Sequence, residues 1–418
     1  MITYLKKHWI AGGFQRAEVI IAFGFFLAII PALRGISVQS DIDIFYGAAL
    51  RLRQGSNMYL APYMYGMWYY YSPLFASILV PFTWLDIRIL KVCWHLLNLF
   101  LVFRSYRLFC WYLPIPKAKT GILLVSTVSL LAIPAVFLNL LYGQLTILVL
   151  WCCIEGVYRF LKNENTKGSL AFALGINIKV LPIFFFYSFL LKQNWKRLLY
   201  LFLAVGFLLL LPFLWLNFSF HKEIIQDWLN LLNPLNKEHI ETIGEGGFTD
   251  FASVLIKYAT LQKIPNETSL NIISLNTLQV FWIQMVFRFL VLILTAWVIL
   301  NLHAKTFTGR IKEFADLGFI LACIPTAFPH QRDYSMLLCL PSAFLLFFSW
   351  LVLKSKTSSW VIVFLLLDMV LISYVNFLEF FGGPMKFFLH QSRISGFGAL
   401  FFLPLYVLWF KSQKVKLL

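Results

Sequence analysis

Charge is what this sequence has least of. Only 13% of its 418 residues are Asp, Glu, Lys or Arg, against about a quarter in a soluble domain. Carboxylates are scarcer still, 18 Asp and Glu against 35 Lys and Arg. Cysteine is sparse as well. The six present (Cys93, Cys110, Cys152, Cys153, Cys323, Cys339) fall in or beside apolar tracts with no paired or ligand-like spacing. They read as small apolar side chains, which argues against a disulfide framework or a Cys metal site. Low-complexity segments, internal repeats and any soluble domain are also missing.

What is present is hydrophobic: 60% of residues, with a mean hydropathy of +0.78. Many tracts approach the roughly 18–20 apolar residues that cross a bilayer. They lack the alternation of barrel strands, so helices must satisfy their own backbone groups in lipid. The fold class is all-α polytopic membrane protein. A net charge of +17 could attract nucleic acid, but no basic run sits in a soluble segment. It fits positively charged loops on the cytoplasmic side.

Lys6, Lys7 and Arg16 precede an apolar run and place the N-terminus inside, with an uncleaved first helix at about 17–34. That helix delivers Ser37–Pro73 to the outside. The short apolar segment 74–86 is expected along the outer interface and 88–107 as a crossing. This keeps Arg104, Arg107, Lys117 and Lys119 inside. Helices follow at about 120–141 and 145–160. The stretch from Gly168 to Leu191 lies between two basic clusters that want the same side. A pair of short helices broken near Lys179-Val180-Leu181-Pro182 resolves that, because Pro182 removes a backbone bond and disfavours helix before it. The helix at 196–217 leads to a second polar outer loop, 218–276. Helices near 277–301, 313–328, 334–353, 358–378 and 395–411 complete a single integral-membrane domain, 1–418. Within it, 17–217 forms a core module with outer loop 35–87, and 277–418 supplies the C-terminal helices. Inner helix ends carry Lys305, Arg310 and Lys312, then Lys354 and Lys356, then Lys411, Lys414 and Lys416.

Against this background a few polar groups stand out. Asp41 and Asp43 follow the first helix and are either solvated loop acids or a carboxylate held for general base work on a sugar hydroxyl. Tyr59, Tyr63, Tyr65, Trp68, Tyr69, Tyr70 and Tyr71 suit an interfacial aromatic belt and equally a sugar-stacking surface. Lys179 is a charge inside an apolar tract beside a break, a functional position by default. Phosphate is its natural partner. Glu155 and Arg159, at i and i+4, are expected to pair. His330-Gln-Arg332-Asp-Tyr334 is either a polar turn or a second contribution to an outward-facing site, with Arg332 and His330 able to contact phosphate. The acidic loop 238–250 matches no metal signature. Asn266-Glu267-Thr268 fits an N-glycosylation pattern only weakly.

Asp41-Ile-Asp-Ile-Phe45-Tyr46-Gly-Ala48-Ala49, then Gly55, Tyr59, Tyr71 and Pro73, resembles the first outer loop of the family 87 glycosyltransferases. These are similar to the polyprenyl-phosphate-mannose-dependent mannosyltransferases. Gly143-Gln144 resembles that family's Gly-Gln at a helix start. Gly175, Lys179 and Pro182 resemble its Gly-rich helix ending in Lys-x-x-Pro. The resemblance covers roughly residues 17–200, and beyond them only the layout is similar.

The resemblance implies a GT-C fold of about 11–13 membrane helices, a catalytic Asp in the first outer loop, and a polyprenyl-phosphate sugar donor. Asp41 takes the catalytic position and Lys179 the lipid-phosphate contact. Asp43, Tyr46, Tyr59, Tyr71, Gln144, His330 and Arg332 are the further substrate-binding candidates, with Pro329-His330 as the counterpart of a family His.

The function so implied is inverting transfer of a hexose, mannose by family expectation, to a glycan or glycolipid acceptor at the outer face of a bacterial inner membrane. Both termini are then cytoplasmic. The scheme calls on no cofactor, nucleotide or metal, and no DxD-type metal motif is read in the chain. Two other classes compete. A transporter or flippase of lipid-linked saccharides would be marked by inverted repeats with paired broken helices, and only one broken segment is evident. An oligosaccharide polymerase or ligase would place Arg or His in loop 218–276, which has His221 and His239 and no Arg.

Overall fold

A computed structural model describes residues 39–63, 66–116, 119–233, 248–261, 271–354, 359–374 and 392–412. The expected first helix, the glycosylation pattern at Asn266, Tyr65, most of the acidic loop 238–250 and the terminal lysines lie outside the described residues. Within them the fold is helical, and strand-type pairing is confined to an isolated antiparallel bridge between Phe248 and Arg332.

Helix α1 (Asp41–Arg53) starts at an extended Ser40, whose backbone N–H is accepted by the Asp43 carboxylate at 2.7 Å. Ile42, Phe45, Ala48, Ala49 and Leu52 are buried, the spacing of one helix face. Helix α2 (Pro73–Leu79) has proline at its start, where no N–H is missed. It runs into a 3₁₀ turn, Val80–Trp84. Both pack on α1, and the Tyr46 hydroxyl donates to the Thr83 and Leu85 carbonyls, both at 3.3 Å. At under 18 residues this segment is short of a crossing.

The long helices follow: α3 (Ile87–Tyr112), α4 (Lys119–Leu141) and α5 (Thr146–Leu161). Helix α6 (Asn165–Ile178) breaks at Lys179, passes through a 3₁₀ turn at Leu181–Ile183 and resumes as α7 (Phe184–Leu191). This is the break that Pro182 predicts. Helix α8 (Trp195–Leu210) then crosses α6. The α5–α6 contact is close because Gly156 and Gly168 sit in it. A Cβ at Gly156 would lie 2.4 Å from Phe172, and the Phe160 and Phe172 rings stack there at 5.7 Å. Small residues at such crossings let backbones approach where lipid supplies no hydrophobic drive.

In the stretch expected as a second outer loop, the described residues are largely helical. They include α9 (Phe218–Leu232) and α10 (Phe251–Ala259). In α9, His221, Ile224 and Trp228 are buried at helical spacing, and Asn217 caps the start through Ser219 N. Composition alone hid this 3.6-residue period. Helix α11 (Thr277–Trp297) continues through a π-helical turn, Val298–His303, to Thr306. The remainder is α12 (Gly309–Ala327), a 3₁₀ turn at Asp333–Cys339, α13 (Leu340–Leu351), α14 (Ser359–Tyr374) and α15 (Ile394–Ser412). Among the described residues, five helices are long and apolar enough to cross a membrane: Lys119–Leu141, Trp195–Leu214, Thr277–Thr306, Asp333–Leu351 and Ile394–Lys411. This is the all-α polytopic membrane fold that the sequence implies.

One end of the bundle gathers the basic clusters. Lys162 and Arg310 lie over the Trp111 ring at 5.3 and 5.6 Å, Arg197 over Phe160 at 5.1 Å, and Lys411 over Trp297 at 4.9 Å. Glu155 is buried at this end. The expected pair with Arg159 is present at 2.7 Å, and Arg104 adds two bonds at 2.9 and 3.1 Å. Both arginines are about a third exposed, so each can rehydrate if Glu155 is lost. Glu155→Ala should therefore cost about 2 kcal/mol, between the values for exposed and for fully buried pairs. Thermal unfolding in detergent checks this. A loss well under 0.5 kcal/mol would show that the cluster does not tie α3 to α5.

Candidate active site

At the other end, the α4–α5 connection holds the start of α1. Asp41 N donates to the Tyr142 carbonyl at 3.1 Å, and Gln144 Nε2 donates to Asp41 Oδ2. Gly143, between them, has φ +65, a conformation glycine adopts without penalty. A Cβ there would also lie 2.5 Å from Ile42 Cγ1. Gly143→Ala should thus combine backbone strain of about 1–3 kcal/mol with a push on the residue next to Asp41. Activity should fall more than tenfold in a protein that still folds. Unchanged activity would separate this turn from function.

The two acids are sent apart. Residues i and i+2 of a helix lie about 200° apart around its axis. Asp43 turns to Ser40 N and to Lys91 Nζ at 2.9 Å, while Asp41 turns to Gln144. The Asp-x-Asp spacing of 41–43, not counted as a metal motif from the sequence, is therefore split by the helix between different partners. Among the described residues no group of three His, Cys, Asp or Glu side chains could hold a metal ion. Asp43 serves the helix start.

Asp41 keeps part of its surface open. Burial pushes its carboxyl above the usual range. The Gln144 hydrogen bond, then Arg332, then Lys179 pull it back, and Asp43 adds a small upward push. Arg332 and Lys179 thus act on Asp41 through space, yet neither forms an ion pair with it. Lys179 Nζ instead lies 5.6 Å from the centre of the Tyr334 ring. The break after α6 supplies Lys179, and the 3₁₀ turn after α12 supplies Tyr334. Asn139 of α4 fixes that turn by donating to the Tyr334 carbonyl at 3.0 Å.

The aromatic loop closes the third side. Tyr71 packs edge-on against Phe45 at 4.9 Å. Its phenol is pushed well up by burial, with Asp41 adding to the effect, so it remains a hydroxyl donor. Tyr59 holds this loop by donating to the Tyr71 carbonyl at 2.6 Å. His330 lies one layer out, its φ at +59, with its ring stacked on Tyr70 at 6.2 Å and edge-on to Phe248 at 5.0 Å. Arg332 covers the Phe248 ring at 5.2 Å. Their turn is anchored from three directions: Thr249 N donates to the Gln331 carbonyl at 2.7 Å, Arg393 Nη1 to the Phe248 carbonyl at 2.7 Å, and Ser395 Oγ to Asp333 at 2.7 Å.

The structure thus brings together Asp41, Gln144, Tyr71, Lys179 and Arg332. It gives Tyr46 and Tyr59 scaffold bonds, ties Asp43 to Lys91, and sets His330 behind Tyr70. Sequence reasoning missed Tyr334 as the ring beneath Lys179, although it closes the polar run at 330–334. It also missed Lys91, a lone charge in an apolar tract and so the same kind of signal as Lys179.

The sequence model of glycosyltransferase family 87 matches residues 69–325, more than half of the chain. The chain belongs to glycosyltransferase family 87. No curated protein matches it. The family match extends well past residue 200, where the sequence showed only a similar layout. It includes Tyr71, Gln144 and Lys179 and starts after Asp41. As a family 87 protein with membrane-crossing helices, it is a membrane glycosyltransferase, acting on a sugar donor and an acceptor at a lipid bilayer.

Proposed function

We propose that this family 87 enzyme moves a hexose, mannose by family resemblance, from a polyprenyl-phosphate donor to a glycan or glycolipid hydroxyl at the outer membrane face, with inversion. Asp41 takes the proton of the acceptor hydroxyl. The freed oxygen attacks the anomeric carbon as the bond to the phosphate oxygen breaks. The phosphate departs as a stable anion, so no acid is needed to protonate it. This differs from glycoside hydrolysis, where two carboxylates flank the bond.

The observation that supports this reading is one carboxylate fixed by Gln144, with Lys179 and Arg332 acting on it and paired with nothing acidic among the described residues. Cations set in place before reaction stabilise charge that develops on a leaving phosphate, because they need not reorganise. Asp41, Tyr71 and Gln144 then face the acceptor and reacting sugar, and Lys179 and Arg332 the phosphate. Tyr70 with His330 forms an outer aromatic wall suited to a sugar face. The test is donor choice. Protein reconstituted in vesicles should transfer sugar from polyprenyl-phosphate hexose and not from a nucleotide hexose. Turnover with the nucleotide donor alone would overturn the proposal.

A further inference from the structure

At the basic end, a cavity of about 400 Å³ opens between the α7–α8 connection and the end of α11. Lys192, Arg197, Lys312 and Glu313 line it together with Ile299 and Leu300 of the π-helical turn. Lys192 is neutralised, lying 3.0 Å from Glu313 and 2.5 Å from Asp316. Asp316 in turn accepts from His303 Nδ1 at 2.7 Å, and His303 Nε2 meets the Tyr406 hydroxyl at 2.9 Å. This buried network pins α7, α11, α12 and α15 together behind the cavity.

Arg197 and Lys312 differ from Lys192. Neither has a carboxylate partner among the described residues. Arg197 rests on the Phe160 ring and makes one long bond, 3.5 Å, to the Phe160 carbonyl. Most of its five donors have no partner among the described residues. The wall of the cavity continues into an apolar stripe on α11. Leu300 of the π-helical turn is 47% exposed, and on α11 Ile293, Leu290 and Val286 are 49%, 55% and 56% exposed at spacings of three and four residues, which keeps those three on one helix face.

We infer that this cavity binds the phosphate of an anionic phospholipid in the leaflet at the basic end of the bundle, with its acyl chains along the α11 stripe. Arg197 and Lys312 are the contacts to the phosphate oxygens. Guanidinium groups match phosphate geometry with paired bonds, and basic pockets between membrane helices suit lipid head groups. A free phosphate would satisfy the same cations but has no use for the apolar stripe, which decides for a lipid. The site is separate from Asp41, since α5 (Thr146–Leu161), about 24 Å long, lies between Gln144 at one end and Lys162 at the other. It does not rest on the proposed transfer reaction.

The test uses the full chain purified in a neutral detergent. Binding of phosphatidylglycerol, phosphatidylcholine and inorganic phosphate is measured by native mass spectrometry. Phosphatidylglycerol should bind more tightly than phosphatidylcholine, on the order of tenfold. The double variant R197Q/K312Q should lose that preference, while Lys305→Gln, exposed at the same end but outside the cavity, should keep it. Equal binding of the two lipids, or an undiminished preference in the double variant, would overturn the inference. So would displacement of phosphatidylglycerol by inorganic phosphate at equal concentration, which would assign the cavity to a free anion. If the double variant fails to fold, the lipid comparison and the competition on the unmodified chain still decide.

Discussion

Asp41→Asn should reduce the turnover number by about 10²–10⁴-fold, the contribution typical of a positioned general base. Asn keeps the size of the side chain and a carbonyl oxygen that accepts from Gln144, so α1 and the Tyr142–Gln144 turn should stay in place. Thermal stability should match the parent or exceed it slightly, because a partly desolvated charge is removed. The sign of the pH dependence follows from the environment. Burial raises the Asp41 carboxyl above its ordinary range, so the inactive, protonated form persists to higher pH. The acid limb of kcat/KM should lie above that of an ordinary carboxylate. Activity should rise with pH through it and disappear as pH falls. Full activity of a folded Asp41→Asn protein would remove Asp41 from the chemistry.

The second large effect is expected at Lys179. Loss of one preorganised donor to a developing oxyanion costs about 10²–10³ in rate, and Lys179→Met should fall in that range. Two readouts separate this from a packing role. Among the described residues Lys179 forms no ion pair that its loss would break, so stability should not fall. Because Lys179 holds the Asp41 carboxyl down, its removal should also move the acid limb of kcat/KM further up. A Lys179→Met variant that is slow with an unmoved acid limb would place Lys179 away from Asp41. Lys179→Arg should keep part of the rate, since the charge remains while the geometry differs.

The sequence made much of the fold legible because lipid leaves few options. Apolar length gave the helices, positive clusters gave their shared end, and Pro182 marked the break after Ile178. The stacking of Lys162 and Arg310 on one tryptophan shows that clusters far apart in the chain converge. Helix α9 was not legible from composition, because an amphipathic surface helix looks like polar loop until its spacing is counted. The π-helical turn at 298–303 has no sequence signature of its own.

The site was legible where one residue type is out of place. A carboxylate just after an apolar run and a lysine inside an apolar tract both drew attention to their positions. The division of labour between Asp41 and Asp43 needed the helix phase and the Lys91 partner, which only tertiary contact supplies. His330 and Arg332 are two residues apart and looked equivalent. The turn at φ +59 puts one against Tyr70 and leaves the other to act on Asp41. Glu155 likewise showed its local partner Arg159 and hid Arg104, which lies on another helix.

The most direct measurement is the anomeric configuration of the product. The reconstituted enzyme would be given a polyprenyl-phosphate hexose of defined anomer and its acceptor, and the new glycoside analysed by NMR. Direct displacement assisted by Asp41 predicts the opposite anomer, with one polyprenyl phosphate released per bond formed. A product that retains the donor's configuration would contradict the account, since it requires either a covalent intermediate on a second nucleophile or attack from the face the phosphate leaves.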